Sequence, residues 1–164
     1  AGAPGVKGRI EVVPVPAEFT VIIDYAHTPD ALENILTTVR DFTAGRVLCL
    51  FGCGGDRDRS KRPLMGAVVG SLADVAVLTS DNPRTEEPEA IIRDILPGLE
   101  GAAAERLVEP DRRTAIRRIL SLARPGDTVV LAGKGHETYQ EVDGVQLHLD
   151  EREEVAAYFA GAVE

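Results

Sequence analysis

The run Asp81-Asn82-Pro83-Arg84 places a carboxylate, an amide, a rigid turn and a guanidinium within four residues. Such groups suit an amino acid: an acid accepts from an ammonium, and a guanidinium can hold a carboxylate bidentately. The run follows Asp74-Val75-Ala76-Val77-Leu78-Thr79, which reads as a buried strand, and Pro88 reopens a helix beyond it. Proteins built of alternating strands and helices hold ligands at the carboxyl ends of their strands.

Three further loops carry chemistry. Gly52-Cys53-Gly54-Gly55-Asp56-Arg57-Asp58-Arg59-Ser60-Lys61-Arg62-Pro63 is glycine-rich and then basic. It lacks the Gly-Lys-Ser/Thr of a P-loop, and Arg57 stands at the third glycine position of the dinucleotide fingerprint. It reads either as a backbone cradle for an anion at a helix N-terminus or as a solvated loop of local Asp–Arg pairs. Gly133-Lys134-Gly135-His136-Glu137 also lacks the Ser/Thr. Its glycines allow close backbone approach, and Glu137 can accept from an ammonium; the plainer reading is a tight turn into a hairpin. In Asp24-Tyr25-Ala26-His27-Thr28-Pro29, Asp24 and His27 can act as an acid–base pair or hold a nucleotide. Taken alone, that loop favours the plainer reading, with Asp24 bonding loop amides and His27 on the surface. Cys49 falls inside a strand, Cys53 has no base in its own loop, and no Cys/His spacing of zinc type exists.

The elements that must position these loops alternate. Phe19–Asp24, Arg46–Phe51, Val75–Thr79, Arg106–Val108 and Thr128–Ala132 read as strands. Thr28-Pro29 is an N-cap followed by an N1 proline, and Leu32, Ile35, Leu36 and Val39 form the apolar stripe of the helix it opens. Helices follow at Pro63–Leu72, Pro88–Leu96, after Asp111, and at Glu151–Phe159. Gly144 marks a terminal hairpin, hence an antiparallel edge. The expected fold is α/β: a Rossmann-like, doubly wound, mostly parallel sheet with an antiparallel hairpin edge.

At 164 residues the chain suits one domain with a real core. Aromatics at 4% leave aliphatic side chains to fill that core. A net charge of −9 argues against a nucleic-acid groove. Apolar runs are too short to span a membrane, and the two cysteines lie too close together for a disulfide framework, which reads as cytoplasmic. Residues 1–8 read as a linker or the end of a preceding domain, and 9–164 as the domain itself.

Together, Asp24–Asp30, Gly52–Gly66, Asp81–Glu86 and Gly133–Glu137 resemble the C-terminal domain of the Mur ligases, in order and over nearly the whole chain. The resemblance is closest to the branch that adds meso-diaminopimelate to UDP-N-acetylmuramoyl-L-alanyl-D-glutamate. It implies an ATP-dependent peptidoglycan-precursor ligase working through an acyl phosphate. ATP and Mg2+ would be held mainly by a central domain whose P-loop this sequence lacks, so the domain alone is expected to be inactive, with no catalytic residue and no metal ligand of its own.

The resemblance assigns meso-diaminopimelate to Arg57, Asp81, Asn82, Pro83, Arg84, Gly133 and Glu137. It assigns nucleotide contact on domain closure to Arg9, Asp24 and His27. The family usually has methionine where Ile10 stands. Lysine-adding relatives typically lack the arginine at Arg84, which favours diaminopimelate. An L-lysine-adding domain and a non-catalytic amino-acid-binding α/β module remain the alternatives.

Overall fold

The computed structural model describes residues 10–161. The proposed linker and Arg9 lie outside them. Six strands form one sheet: β1 (Ile10–Val13), β2 (Thr20–Asp24), β3 (Val47–Phe51), β4 (Val75–Leu78), β5 (Glu105–Val108) and β6 (Thr128–Ala132). Their order is β1-β2-β6-β3-β4-β5, parallel throughout except for β1, which runs antiparallel to β2. β3, β4 and β6 are buried at every position. That is why they read as continuous apolar runs rather than alternating ones.

Both faces are covered. On one lie α1 (Pro29–Phe42), α2 (Lys61–Leu72) and α3 (Pro88–Ile95), the last continuing into a 3-10 turn at Leu96–Leu99. On the other lie α4 (Arg112–Leu122) and α5 (Glu151–Phe159). Thr28 caps α1 by accepting from the Ala31 amide, and Leu32, Ile35, Leu36 and Val39 are its buried stripe, as their spacing predicts. Asp111 caps α4 through the Thr114 amide.

Two features differ in detail from the sequence reading. The antiparallel edge is the β1–β2 hairpin. β1 alternates between exposed and half-buried residues and has only four of them, too weak a pattern to announce itself. The hairpin around Gly144 forms, as β7 (Tyr139–Val142) and β8 (Val145–His148), but it stands as a separate two-stranded ribbon. Asp143 and Gly144 both have positive φ, at 50° and 78°, which a two-residue turn of this hand requires. The ribbon meets the main body through a bridge between Val142 and Arg84.

The chain crosses from β2 to β3, β4 and β5, and then returns to insert β6 between β2 and β3. The loops after β2, β3, β4 and β6 therefore gather at one end of the sheet. That end is where open α/β sheets bind ligands.

Candidate functional site

A cleft of about 430 Å³ opens among those loops. Arg57, Asp81, Asn82, Arg84, Gly133 and Glu137 all line it, as does His27. Pro83 does not line it. Its carbonyl accepts from the Glu86 amide at 2.9 Å, so it shapes the turn. Asp24 lines a neighbouring cavity of about 410 Å³ beside α1, which His27, Tyr25 and Thr28 share with the cleft.

Three guanidinium groups (Arg57, Arg62 and Arg84), the Lys61 ammonium and three carboxylates (Asp58, Asp81 and Glu137) line the cleft, so it offers both signs of charge that a zwitterion needs. Arg57 Nη1 donates to the Asp56 carbonyl at 3.0 Å. Arg84 has φ of 54°, a left-handed conformation that side chains rarely adopt. Its Nη1 donates to the Gly55 carbonyl at 3.0 Å, and its Nε lies 3.4 Å from Glu141 Oε1. Arg84 therefore already has partners within the protein. A ligand without a distal carboxylate would not leave it bare, which makes its discrimination milder than an orphaned guanidinium would give.

Asn82 is largely consumed by the fold. Its Oδ1 accepts from Lys134 Nζ and from the Glu141 amide, each at 2.9 Å. Asp81 and Asn82 are among the few buried polar residues, at 8% and 5% exposure. Gly133 has φ of 116°, and a Cβ there would sit 3.8 Å from the Asp81 carboxylate. Burial first, and then the charges of Glu137 and Asp81, raise the pKa of Tyr25.

The basic loop divides its work. Arg62, 1% exposed, is an internal strut: it donates to Glu86 at 2.9 Å, to Asp94 at 2.9 Å and to the Gly54 carbonyl at 3.0 Å. Arg59 pairs with Asp94. Both side chains thus tie the loop to α3 and to the loop before it, through partners distant in sequence rather than the local Asp–Arg pairs of a solvated loop, and Arg57, Lys61 and Arg62 line the cleft. Gly55 is crowded from the other side, since a Cβ there would fall 1.8 Å from the Pro83 carbonyl oxygen.

In the first loop, Asp24 accepts from the Ala26 amide at 2.8 Å. His27 is exposed, and its Nδ1 lies 2.7 Å from the Tyr25 carbonyl. A carbonyl only accepts, so Nδ1 carries a proton. The residues' plainer reading is thus met, and the loop still borders both cavities. Burial pushes the Cys49 and Cys53 thiols up to about 12, which leaves them protonated and unreactive at neutral pH.

Sequence reasoning missed several organising residues. Lys134, fully buried, contacts Asp81, Asn82 and Glu137. Arg112, also fully buried, pairs with Glu151 and donates to the carbonyls of Ser80 and Ala132, joining the ends of β4 and β6. Gln140 donates to Ser80 Oγ and to the Asp81 carbonyl. Little local pattern marks these residues, because apart from Glu137, three residues from Lys134, their partners are distant in sequence.

The chain is 56% identical over 153 residues to UDP-N-acetylmuramoyl-L-alanyl-D-glutamate--2,6-diaminopimelate ligase of Thermosynechococcus vestitus, covering 92% of this chain and 31% of that protein. It is 54% identical over 160 residues to the ligase of the same name from Syntrophomonas wolfei, covering 97% of this chain and 33% of that one. A solved structure of a ligase of that name superposes with a TM-score of 0.87 at 44% identity, over 99% of this chain and 32% of the other. The chain thus spans about a third of the length of these relatives. Residues 8–135 match the family described as Mur ligase, glutamate ligase domain, and the chain belongs to the Mur ligase family.

Proposed function

We propose that this chain is the amino-acid-delivering domain of an ATP-dependent ligase that adds meso-diaminopimelate to UDP-N-acetylmuramoyl-L-alanyl-D-glutamate in the cytoplasm. One observation carries the reading: Arg57, Arg84, Asp81 and Glu137, from three separate loops, line a single cleft at the carboxyl ends of the strands. The guanidinium groups suit the ligand's carboxylates, and the acids suit its ammonium groups. The names of the relatives point to the same substrate.

The reaction joins the ligand's amine to a glutamyl carboxylate activated as an acyl phosphate. The nitrogen lone pair forms the C–N bond, the C–O bond to phosphate breaks, and the amine loses a proton. This chain's part is to orient the amine. ATP and Mg2+ would be held mainly elsewhere in the ligase and supply the phosphoryl group. Asp24, lining the neighbouring cavity, and His27, which borders both, would meet a nucleotide when the domain closes. Closure would also keep water from the acyl phosphate. Pro83 serves the turn, and Gly133 leaves room beside Asp81.

The test is substrate selectivity in the full-length ligase. The wild type is expected to prefer meso-diaminopimelate over L-lysine in kcat/KM, and Arg84→Ala is expected to lose most of that preference. Undiminished selectivity in the variant would sink the assignment and reopen the alternative of an L-lysine-adding enzyme. Absence of any amine-dependent turnover would favour a non-catalytic binding module.

A further inference from the structure

Lys134 stands in the loop after β6 with its side chain fully buried. A buried ammonium is costly unless its surroundings supply charge and acceptors. Here they do. Asn82 Oδ1 lies 2.9 Å from Nζ, Asp81 Oδ1 3.2 Å and Glu137 Oε1 3.5 Å. An ammonium has three hydrogens, and these oxygens match them in number. The Tyr139 ring closes another side, its centroid 5.8 Å from Nζ. Asp81 Oδ1 has no hydrogen bond of good geometry, so the Lys134 charge is the partner that compensates it.

Lys134 does not line the cleft, whereas the three residues it gathers do. They come from two loops that are separate in sequence, after β4 and after β6. The ammonium takes one oxygen from each carboxylate. An incoming ligand ammonium has the other oxygen of each to address.

We propose that Lys134 is a positioning residue of the amino-acid site: its buried ammonium holds Asp81, Asn82 and Glu137 in the arrangement that accepts the ligand's ammonium, without touching the ligand. This rests on the cleft being the amino-acid site. A packing role alone would need only the stem of the side chain, which methionine supplies.

The experiment uses the full-length ligase. Lys134→Met keeps most of the volume and removes the charge. The KM for meso-diaminopimelate is expected to rise on the order of tenfold, the equivalent of one lost charged contact, while kcat at saturation and the KM for ATP stay near wild type. Lys134→Ala provides a second reading, decisive even if the methionine variant does not fold: propylammonium, which replaces the missing atoms and charge, restores the KM, and 1-propanol does not. A fall in kcat with the KM for the diamino acid unchanged overturns the proposal, as does equal rescue by 1-propanol. Arg84→Ala measured in parallel separates the two ideas. If it raises the KM and Lys134→Met does not, only the Lys134 role fails. If neither moves the KM, the cleft is not the amino-acid site.

Discussion

Arg84 is held by Glu141 twice: the Arg84 amide donates to the Glu141 carbonyl at 3.0 Å, and Arg84 Nε lies 3.4 Å from Glu141 Oε1. A residue of the β7 ribbon thus fixes both the backbone and the head of the arginine that faces the cleft. The left-handed backbone at Arg84 costs roughly 1–3 kcal/mol and persists only where its surroundings enforce it. The Asp143 amide, donating to the Arg84 carbonyl at 2.9 Å, completes the enforcement. The hairpin, which contributes no strand to the main sheet, earns its place by this contact.

Because the Glu141 carboxylate already answers Arg84, it competes with a ligand carboxylate for the same guanidinium. Glu141→Gln in the full-length ligase should therefore lower the KM for meso-diaminopimelate and leave that for L-lysine unchanged. The pair is partly exposed, so the gain should stay within about 1 kcal/mol, or roughly fivefold. Steady-state kinetics with both amines reads this directly. A KM that rises for the diamino acid would mean that Glu141 orients Arg84 more than it competes.

Two adjacent glycines make contrasting demands. A Cβ on Gly54 would meet Arg84 Nη1 at 2.8 Å, the far end of a flexible side chain. A Cβ on Gly55 would meet the Pro83 carbonyl oxygen at 1.8 Å, which is backbone and cannot swing away. Gly55 also donates its amide to the Asn82 carbonyl at 2.8 Å, tying the two loops together. Gly54→Ala should leave the melting temperature almost unchanged and raise the KM for the diamino acid. Gly55→Ala should destabilise the domain by about 1–3 kcal/mol, the usual cost of overpacking. Thermal melts and kinetics on the two variants would show whether fold and recognition separate in this order.

Much of this architecture is legible in the sequence. The apolar runs at Val47–Phe51 and Thr128–Ala132 announce buried parallel strands, and Thr28-Pro29 marks where α1 begins. The loops that converge are the ones whose glycines, prolines and charges interrupt those runs. What stays hidden is which charges turn inward. Arg62 sits in a loop that can read as solvated, and no reading singles out Arg112 or Lys134, yet all three are buried. Their partners, Glu86, Glu151 and Asp81, come from other loops and helices, and only the folded chain joins them. The β7–β8 ribbon is hidden for a related reason. Its alternation predicts a hairpin, but its docking depends on a left-handed arginine that no local pattern specifies.

The Arg62 strut makes a prediction about acid stability. Its hydrogen bond is the largest influence holding the pKa of Glu86 below the usual carboxylate range. For Asp94 the Arg59 hydrogen bond leads, burial opposes it, and Arg62 adds to the lowering. A carboxylate whose native pKa is depressed binds fewer protons folded than unfolded. Its stabilisation is complete above the unfolded value and disappears as the pH falls through the native one. Arg62→Met removes a cation that is 1% exposed, takes one partner from each acid and leaves the Gly54 carbonyl without its donor, while Asp94 keeps Arg59 and Glu86 keeps the Asp56 amide. The cost at neutral pH should be about 1–3 kcal/mol, because the acids are a quarter exposed and retain other partners. On acidification the wild type loses the Glu86 and Asp94 contributions, whereas the variant has less of them to lose. The stability gap should therefore narrow between neutral pH and about pH 3. Urea unfolding at the two pH values measures it. A gap that stays constant would mean that Arg62 acts through packing and its bond to the Gly54 carbonyl, with little contribution from its charge.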